Sequence, residues 1–233
     1  MVYTFIKKNH KTSCRLPATD GFENHMRKQP TQKRAQLTIE AVYQATAELV
    51  DKEGMTGLTT NKIAHKAGFS VGTIYQYFSS KEELFRAIVR HSRRNALGEI
   101  NAYLYSRESL EDPGALDLEI FIRGYIALLI DGFAFGPPLK RSVTRLCWMV
   151  ESPEETAETM QALVVRLVQF VNYVQHPQLR LLTETRCFVL SRTIIGCLRS
   201  ASLERLEPPS VTELTNALVE MVLSQLDLSR QPA

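Results

Sequence analysis

Apolar residues recur at intervals of three and four along most of the chain, a spacing that places them on one face of an α-helix. The first such stretch runs from Ala35 to Lys52. In this stretch Ile39, Val42 and Leu49 fall on one face of the predicted helix, and Gly54 is expected to end the helix. Few stretches alternate between apolar and polar residues as strands do. The pattern therefore predicts an all-α protein.

Residues 58–85 predict two short helices around a glycine turn. Thr59 can cap a helix that reaches Ala67, because its hydroxyl can accept a bond from an amide of the first turn. Gly68 ends that helix, since glycine takes the left-handed conformation without a Cβ penalty. A second helix then starts near Val71. Two helices joined in this way make a helix-turn-helix, whose second helix enters the major groove of DNA.

The second helix is predicted to present a polar and aromatic outer face. Ile74 and Phe78 are four residues apart and should turn inward together. A glycine on the outer face lets the backbone approach a phosphate, and hydroxyl, amide and tyrosine side chains can contact bases and phosphates. The alternative for the tyrosines is that they pack within a small domain. The outward residues are Gly72, Thr73, Tyr75, Gln76 and Tyr77.

A third helix is predicted to begin directly after this segment. Ser80 and Glu83 have the spacing of a capping box. Lys81 then lies in the first turn, where its ammonium can reach the DNA backbone. The alternative is that Lys81 is simply solvated.

The order of these elements resembles the DNA-binding domain of the TetR family of bacterial one-component repressors. The resemblance covers about residues 33–90, with an amphipathic first helix followed by "IAHKAGFS" and "VGTIYQYFSSKEELF". It implies an all-helical homodimer with an N-terminal three-helix DNA-binding domain. It also implies a larger C-terminal helical domain that binds a small molecule and forms the dimer.

The resemblance also implies which residues contact DNA. Two positions depart from the family pattern: Phe69 stands where a small aliphatic residue is frequent, and Val71 where a polar or basic residue is common. Val71 therefore lies on the contact face but gives up one phosphate contact. Carried over by position, the DNA contacts are Thr60, Ser70, Gly72, Thr73, Tyr75, Gln76, Tyr77 and Lys81.

Helix breakers divide the chain into three predicted parts. Residues 1–30 show no period and form a disordered basic tail, in which Met26 is a plausible alternative translation start. Residues 31–80 form the helix-turn-helix domain, and residues 81–230 form the helical effector-binding and dimerisation domain. After the helix-turn-helix domain, helices are predicted at 81–105, 115–134, 139–150, 153–175, 179–204 and 211–228.

Charge is distributed unequally along the chain. The first 90 residues hold 14 lysines and arginines against 8 aspartates and glutamates, whereas residues 91–233 hold 14 against 17. A positively charged DNA-binding domain favours binding to DNA phosphates. The counterions that it displaces from the DNA contribute affinity that does not depend on the base sequence. Much of the excess lies before residue 35, so a solvated tail is the alternative.

The effector pocket is predicted among the middle helices, where aromatic residues are concentrated. Aromatic residues at helical spacing fill cores more often than they line pockets. Arginines within apolar helices could neutralise an acidic effector, although surface or paired positions are the simpler interpretation. The candidate ligand residues are Phe121, Tyr125, Arg145, Trp148, Phe170 and Tyr173.

The last two helices are the candidates for the dimer contact. Residues 211–228 carry an apolar stripe with steps of three and four, suited to helix packing. Gly196 in the preceding helix would let another helix approach closely. The resemblance implies a four-helix bundle from two subunits, and the alternative is that the stripe packs on its own subunit. The candidate interface residues are Phe188, Ile195, Leu198, Leu214, Leu218 and Met221.

Other classes of site have little support in the sequence. Its four cysteines show no C-x-x-C spacing and its five histidines no H-E-x-x-H, so no metal, cofactor or catalytic residue is predicted. Cys147, Cys187 and Cys197 are expected to be small buried apolar groups. The chain has no run of eighteen apolar residues and no apolar signal segment at its start, which predicts a cytoplasmic protein with no membrane partner.

These features predict a homodimeric repressor of palindromic DNA operators that a small-molecule ligand releases. One alternative is a constitutive DNA-binding protein without an effector. The other is an enzyme in the C-terminal helical domain, for which the sequence gives little.

Overall fold

The computed structural model of the protein describes residues 33–54, 57–106, 116–135, 138–203 and 209–226. All regular elements in these ranges are helical, which confirms the all-α prediction. The predicted tail over residues 1–30 lies outside the described residues. Among the described helices, none is long and apolar enough to cross a membrane.

The helices follow one another in a simple order, with one π-helical turn after the fifth and one 3₁₀ turn after the seventh. The first four are α1 (Lys33–Glu53), α2 (Thr60–Ala67), α3 (Val71–Tyr77) and α4 (Lys81–Leu104). They are followed by α5 (Leu118–Ile130), the π turn (Asp131–Phe135), α6 (Pro138–Val150), α7 (Pro153–Val174), the 3₁₀ turn (Leu179–Leu181), α8 (Glu184–Leu203) and α9 (Val211–Ser224).

Serine caps fix the starts of α7 and α9. The Ser152 hydroxyl accepts a bond from the Glu155 amide, and the Glu155 carboxylate accepts one from the Ser152 amide. Ser210 and Glu213 form the same reciprocal pair at the start of α9. Each capping box satisfies two amides that would otherwise lack a partner.

The prediction of one helix over residues 179–204 is wrong at its start. The chain forms only a 3₁₀ turn over Leu179–Leu181, and Leu182 then leaves helical geometry with φ −76° and ψ 74°. The Thr183 hydroxyl accepts a bond from the Arg186 amide, so α8 begins after this residue. The helical spacing of apolar residues continues across this turn, so the sequence pattern does not reveal that the helix is interrupted at Leu182.

Two hydrophobic cores share the long helix α4. Residues Leu84, Phe85 and Ile88 of α4 pack with α1, α2 and α3 in the first core. Leu97 and Ile100, further along the same helix, pack in the second core with α5, α7, α8 and α9. Helix α4 therefore joins the two cores physically.

A buried ion pair lies where the two cores meet on α4. Arg93 is only 1% exposed, and its guanidinium donates to both carboxylate oxygens of Glu151 at 2.6 and 2.9 Å. It also donates to the Gly132 carbonyl at 3.3 Å in the π turn. The rings of Phe133 and Trp148 cover the guanidinium at 4.7 and 4.1 Å from their centroids. These contacts tie α4, the π turn and α6 together.

Two of the three cysteines in the second half of the chain behave as predicted. Cys147 and Cys187 are buried, and burial raises the pKa of each thiol to about 11. They are therefore unreactive apolar groups at neutral pH. The expectation for Cys197 is wrong, because this residue is exposed on the outer face of α8.

Replacing Glu151 by glutamine is expected to destabilise the fold strongly. The Glu151→Gln variant leaves the Arg93 guanidinium buried without a counter-charge, which costs about 3–5 kcal/mol. The matched control is Glu119→Gln, which removes the exposed pair with Arg123 and costs less than about 1 kcal/mol. Urea unfolding followed by circular dichroism measures both. Equal losses in the two variants would show that the buried pair has no special structural role.

Candidate nucleic-acid interface

Local capping shapes the turn between α2 and α3 as predicted. The Thr59 hydroxyl accepts a bond from the Lys62 amide at 3.2 Å. Gly68 adopts the left-handed conformation with φ 75° and ψ 26°. The amides of Gly68 and Phe69 bond back to the carbonyls of His65 and Ala64. The chain therefore leaves α2 at Gly68 and begins α3 at Val71, only three residues later.

Ser70 closes the start of α3. Its hydroxyl accepts a bond from the Thr73 amide at 3.1 Å and lies 2.9 Å from the Thr73 hydroxyl. Both side chains, which are candidate DNA contacts, therefore also stabilise the helix end. Their polar atoms lie next to each other at the surface end of α3.

The outer face of α3 is open to solvent. Ile74 and Phe78 are buried, which confirms that they turn inward. Gly72, Tyr75 and Gln76 are exposed, and Tyr75 shows 43% of its surface. A solvent-facing ring and amide within one turn are the groups that can reach a base edge.

The candidate DNA contacts Val71, Tyr77 and Thr60 are half-buried. Tyr77 lies 6.4 Å from the Phe78 ring and packs with Phe69 and Val71 against the first core. Tyr77 and Val71 therefore support the position of α3, and Tyr77 keeps part of its ring at the surface. Thr60 is half-buried at the first position of α2.

Lys81 is held at the start of α4. Its ammonium donates to the Leu58 carbonyl at 3.3 Å and lies 5.7 Å from the centroid of the Phe85 ring. The Ser80 hydroxyl accepts a bond from the Glu83 amide, but the predicted capping box is only half formed. The Glu83 carboxylate pairs with Arg90 at 2.6 Å, about two turns further along α4.

Two ion pairs that the sequence analysis missed hold α2 against α1. Lys62 bonds Glu53 at 2.6 Å, and Lys66 bonds Glu48 at 2.8 Å. These bonds hold the pKa of both carboxyls below its ordinary value. The partners come from different helices, so sequence spacing within one helix gives no signal for them.

The six ligand candidates occupy two different environments. Phe121, Tyr125 and Phe170 line an enclosed apolar cavity of about 40 Å³ between α5, α7 and α8, where the Phe121 and Phe170 rings stack at 5.1 Å. Burial raises the pKa of Tyr125, so its hydroxyl stays neutral. The other three do not line this cavity.

Each of the other three ligand candidates lies in a different environment outside the cavity. Trp148 packs on Arg93, and its ring nitrogen donates to the Phe133 carbonyl at 3.0 Å. Arg145 is exposed on α6, and Tyr173 is 55% exposed and lies against the Tyr105 ring.

Four of the six dimer candidates are core residues of their own subunit. Ile195 and Leu198 are fully buried, and Leu214 and Leu218 are covered because α9 packs along α5. Leu214 and Leu218 of the apolar stripe thus pack within the subunit, whereas Val211 at the start of α9 is exposed. Met221 is half-buried, and Phe188 remains exposed beneath the Arg192 guanidinium.

No group of three or more histidine, cysteine, aspartate or glutamate residues is arranged to hold a metal ion in the ranges that the structure describes.

Comparison with known proteins agrees with this geometry. Residues 42–88 match the family model described as bacterial regulatory proteins, tetR family. The nucleoid occlusion factor SlmA of Haemophilus influenzae (strain PittGG) is 28% identical over 148 residues, covering 64% of this chain and 63% of that protein. The match thus spans less than two thirds of that relative's length. The SlmA of Haemophilus ducreyi is 25% identical over 74% of this chain and 79% of its own.

Solved structures share the fold along most of the chain. A TetR-family regulator described as putative, from Rhodococcus sp., has a TM-score of 0.58 at 18% identity, covering 82% of this chain and all of that one. The fatty acid degradation regulator FadR of Bacillus halodurans has a TM-score of 0.57 at 17% identity, covering 88% and 99%. These likenesses extend over both cores.

Two glycine substitutions, one in the turn and one in α3, are expected to have opposite effects on stability. Gly68→Ala places a Cβ on a left-handed residue and costs about 1–2 kcal/mol. Gly72→Ala adds a Cβ whose nearest neighbour is the Ser70 hydroxyl oxygen at 3.7 Å, and it stabilises by up to about 1 kcal/mol through helix propensity. Thermal unfolding of both variants measures the difference. A loss of equal size in both would contradict the turn geometry described above.

Proposed function

We propose that this chain, which belongs to the TetR family of DNA-binding regulators, is a cytoplasmic homodimeric repressor that binds palindromic operators and is released by a small-molecule ligand. The observation that carries the proposal is the exposed outer face of α3. Capping at Ser70 and packing of Ile74 and Phe78 hold that face in place. The fixed geometry lowers the entropy cost of binding DNA.

The proposed contacts have different tasks. Tyr75 and Gln76 read base edges, because they are the exposed side chains on α3. Gly72 lets the backbone approach a phosphate, and the hydroxyls of Thr60, Ser70 and Thr73 bond phosphate oxygens. Lys81 keeps its bond to Leu58, and its remaining N–H donors are available to a phosphate.

The dimer contact is proposed on the outer faces of α8 and α9. Val189 and Phe188 are exposed on α8, and Val211 is exposed on α9. A Cβ added at Gly196 would meet no atom within 4 Å, so a second helix can approach there. A symmetric pair places two copies of α3 on successive major-groove faces, about 34–36 Å apart.

The proposed ligand enters the apolar cavity lined by Phe121, Tyr125 and Phe170. The cavity of about 40 Å³ has little more than the space for a water molecule, so a ligand must separate α5, α7 and α8. Phe121 is linked to α4, since Tyr103 stacks on its ring at 5.5 Å and donates to its carbonyl at 2.9 Å. Ligand binding would thus select a different position of α4 and of the DNA-binding helices.

A second candidate is a DNA-binding protein that acts without an effector. The curated relatives carry the name nucleoid occlusion factor, which favours a role in nucleoid occlusion for this chain also. The small size of the apolar cavity supports the same alternative, because ligand pockets usually measure about 300–1,000 Å³.

Removing the exposed side chains of α3 is expected to abolish sequence-specific binding. A Tyr75→Ala, Gln76→Ala double variant should bind the duplex that the wild-type protein selects at least about tenfold more weakly, because each base contact contributes about 1–3 kcal/mol. Its salt dependence should stay unchanged, whereas Lys81→Ala should lower the salt slope by about one. Fluorescence anisotropy at several salt concentrations measures both.

The matched control for the double variant is Gln36→Ala on the exposed face of α1. It should bind like the wild-type protein. Unchanged DNA affinity in the double variant would show that α3 is not the helix that contacts the bases.

A metabolite screen separates the two candidate functions. An effector that binds the folded protein raises its unfolding temperature, and a repressor of the proposed type also loses operator affinity in its presence. Differential scanning fluorimetry followed by anisotropy measures the two effects. Compounds that stabilise the protein without changing operator affinity would favour the effector-free alternative.

A further inference from the structure

A cleft of about 480 Å³ lies where the DNA-binding helices meet the rest of the chain. One wall is α1, and the others are α4, the π turn and α6. Its lining shares no residue with the apolar cavity and none with the proposed DNA contacts. Its volume lies within the range of ordinary ligand pockets, about 300–1,000 Å³.

Two hydroxyls in this cleft have no hydrogen-bond partner among the described residues. Thr144 lines the cleft and is only 2% exposed, yet its hydroxyl is not bonded within the described ranges. Tyr43 lies across from it on α1, and its hydroxyl is likewise unbonded within those ranges. Burial raises the pKa of Tyr43 to about 12, so the group is neutral. Neither hydroxyl oxygen is among the fully buried, unbonded side-chain atoms of the described residues, so both reach the open space of the cleft and are available to a ligand.

The charge of the lining is negative. Glu40 on α1 and Glu99 on α4 border the cleft, and neither makes an ion pair or hydrogen bond within the described residues. Asp131 of the π turn adds a third carboxylate. Burial holds the pKa of His91 below its ordinary value, so its ring is neutral at pH 7. The lining therefore contains no positive group.

Two arginines that act electrostatically on the cleft lie outside its lining. Arg90 and Arg94 are close enough to act electrostatically on Tyr43, but neither borders the cleft. Arg90 is already paired with Glu83. Arg94 also acts electrostatically on His91, so it offsets part of the negative charge, but the side chains that border the cleft include carboxylates and no lysine or arginine.

The remaining surface of the cleft suits an apolar group. Ala47, Ile88 and Ala96 form its buried floor. The rings of Tyr43 and His91 lie 5.1 Å apart at one side. An aromatic face next to carboxylates is a favourable environment for an organic cation.

We propose that this cleft binds a small organic cation, consisting of an ammonium group on an apolar body. The ammonium donates to the hydroxyl oxygens of Tyr43 and Thr144, and Glu40 and Glu99 balance its charge. The apolar body covers the alanine and isoleucine floor. Since α1 forms one wall and α4 and α6 the others, the bound cation also fixes the DNA-binding helices against the rest of the chain.

Calorimetric titration of the full-length protein with benzylammonium tests the proposal. Saturable binding is expected, and the neutral benzyl alcohol and the anionic benzoate should bind at least tenfold more weakly at the same ionic strength. A Glu40→Gln, Glu99→Gln double variant should lose at least tenfold in benzylammonium affinity. Thr144→Val, which lacks the hydroxyl, should weaken benzylammonium binding, whereas Thr144→Ser, which keeps it, should bind like the wild-type protein.

A Glu158→Gln, Glu220→Gln double variant is the matched control, because it changes the net charge equally at exposed positions outside the cleft. It should bind benzylammonium like the wild-type protein. Equal affinity in the two double variants, or no saturable binding to the wild-type protein, would overturn the proposal. The titration uses no DNA, so its result is independent of the repressor proposal.

Discussion

The buried ion pair between Arg93 and Glu151 holds the chain together where the two hydrophobic cores meet on α4. A buried charge is costly unless it is paired and hydrogen-bonded, and here the carboxylate, a backbone carbonyl and two aromatic rings all engage one guanidinium. The pair lies on α4 between the two cores and joins α4 to the π turn and to the end of α6. Any movement of α4 along α6 would break several of these contacts together.

This arrangement connects the two ends of the molecule. At one end α4 begins beside the helix-turn-helix, and its first turns complete the core that supports α3. At the other end Tyr103 contacts Phe121 in the wall of the apolar cavity. Helix α6 adds a second link, since Leu146 packs in the first core and Ser142 donates to Asp51 of α1 at 2.5 Å. A change in either the cavity or the cleft thus has a continuous packed route to the DNA-reading face.

Local interactions were the part of the structure that the sequence predicted well. The cap at Thr59 and the left-handed Gly68 act between residues close together in the chain, so their spacing reveals them. Two local predictions fail, the capping box at Ser80 and the start of the helix over 179–204, and the other failures come from contacts between distant segments. The arginine that packs on Trp148 lies 58 residues before Glu151, its charge partner, and the pattern around Trp148 gives no sign of it. The stripe on α9 likewise shows that a face is buried, but it does not show that α5 covers it.

We propose that two copies of α3 read DNA as a symmetric pair. Selection of random DNA duplexes by the purified full-length protein tests this arrangement. We expect recovery of an inverted repeat whose half-sites are about 10 base pairs apart or a multiple of that distance. Recovery of a single half-site, or of no preferred sequence, would contradict it.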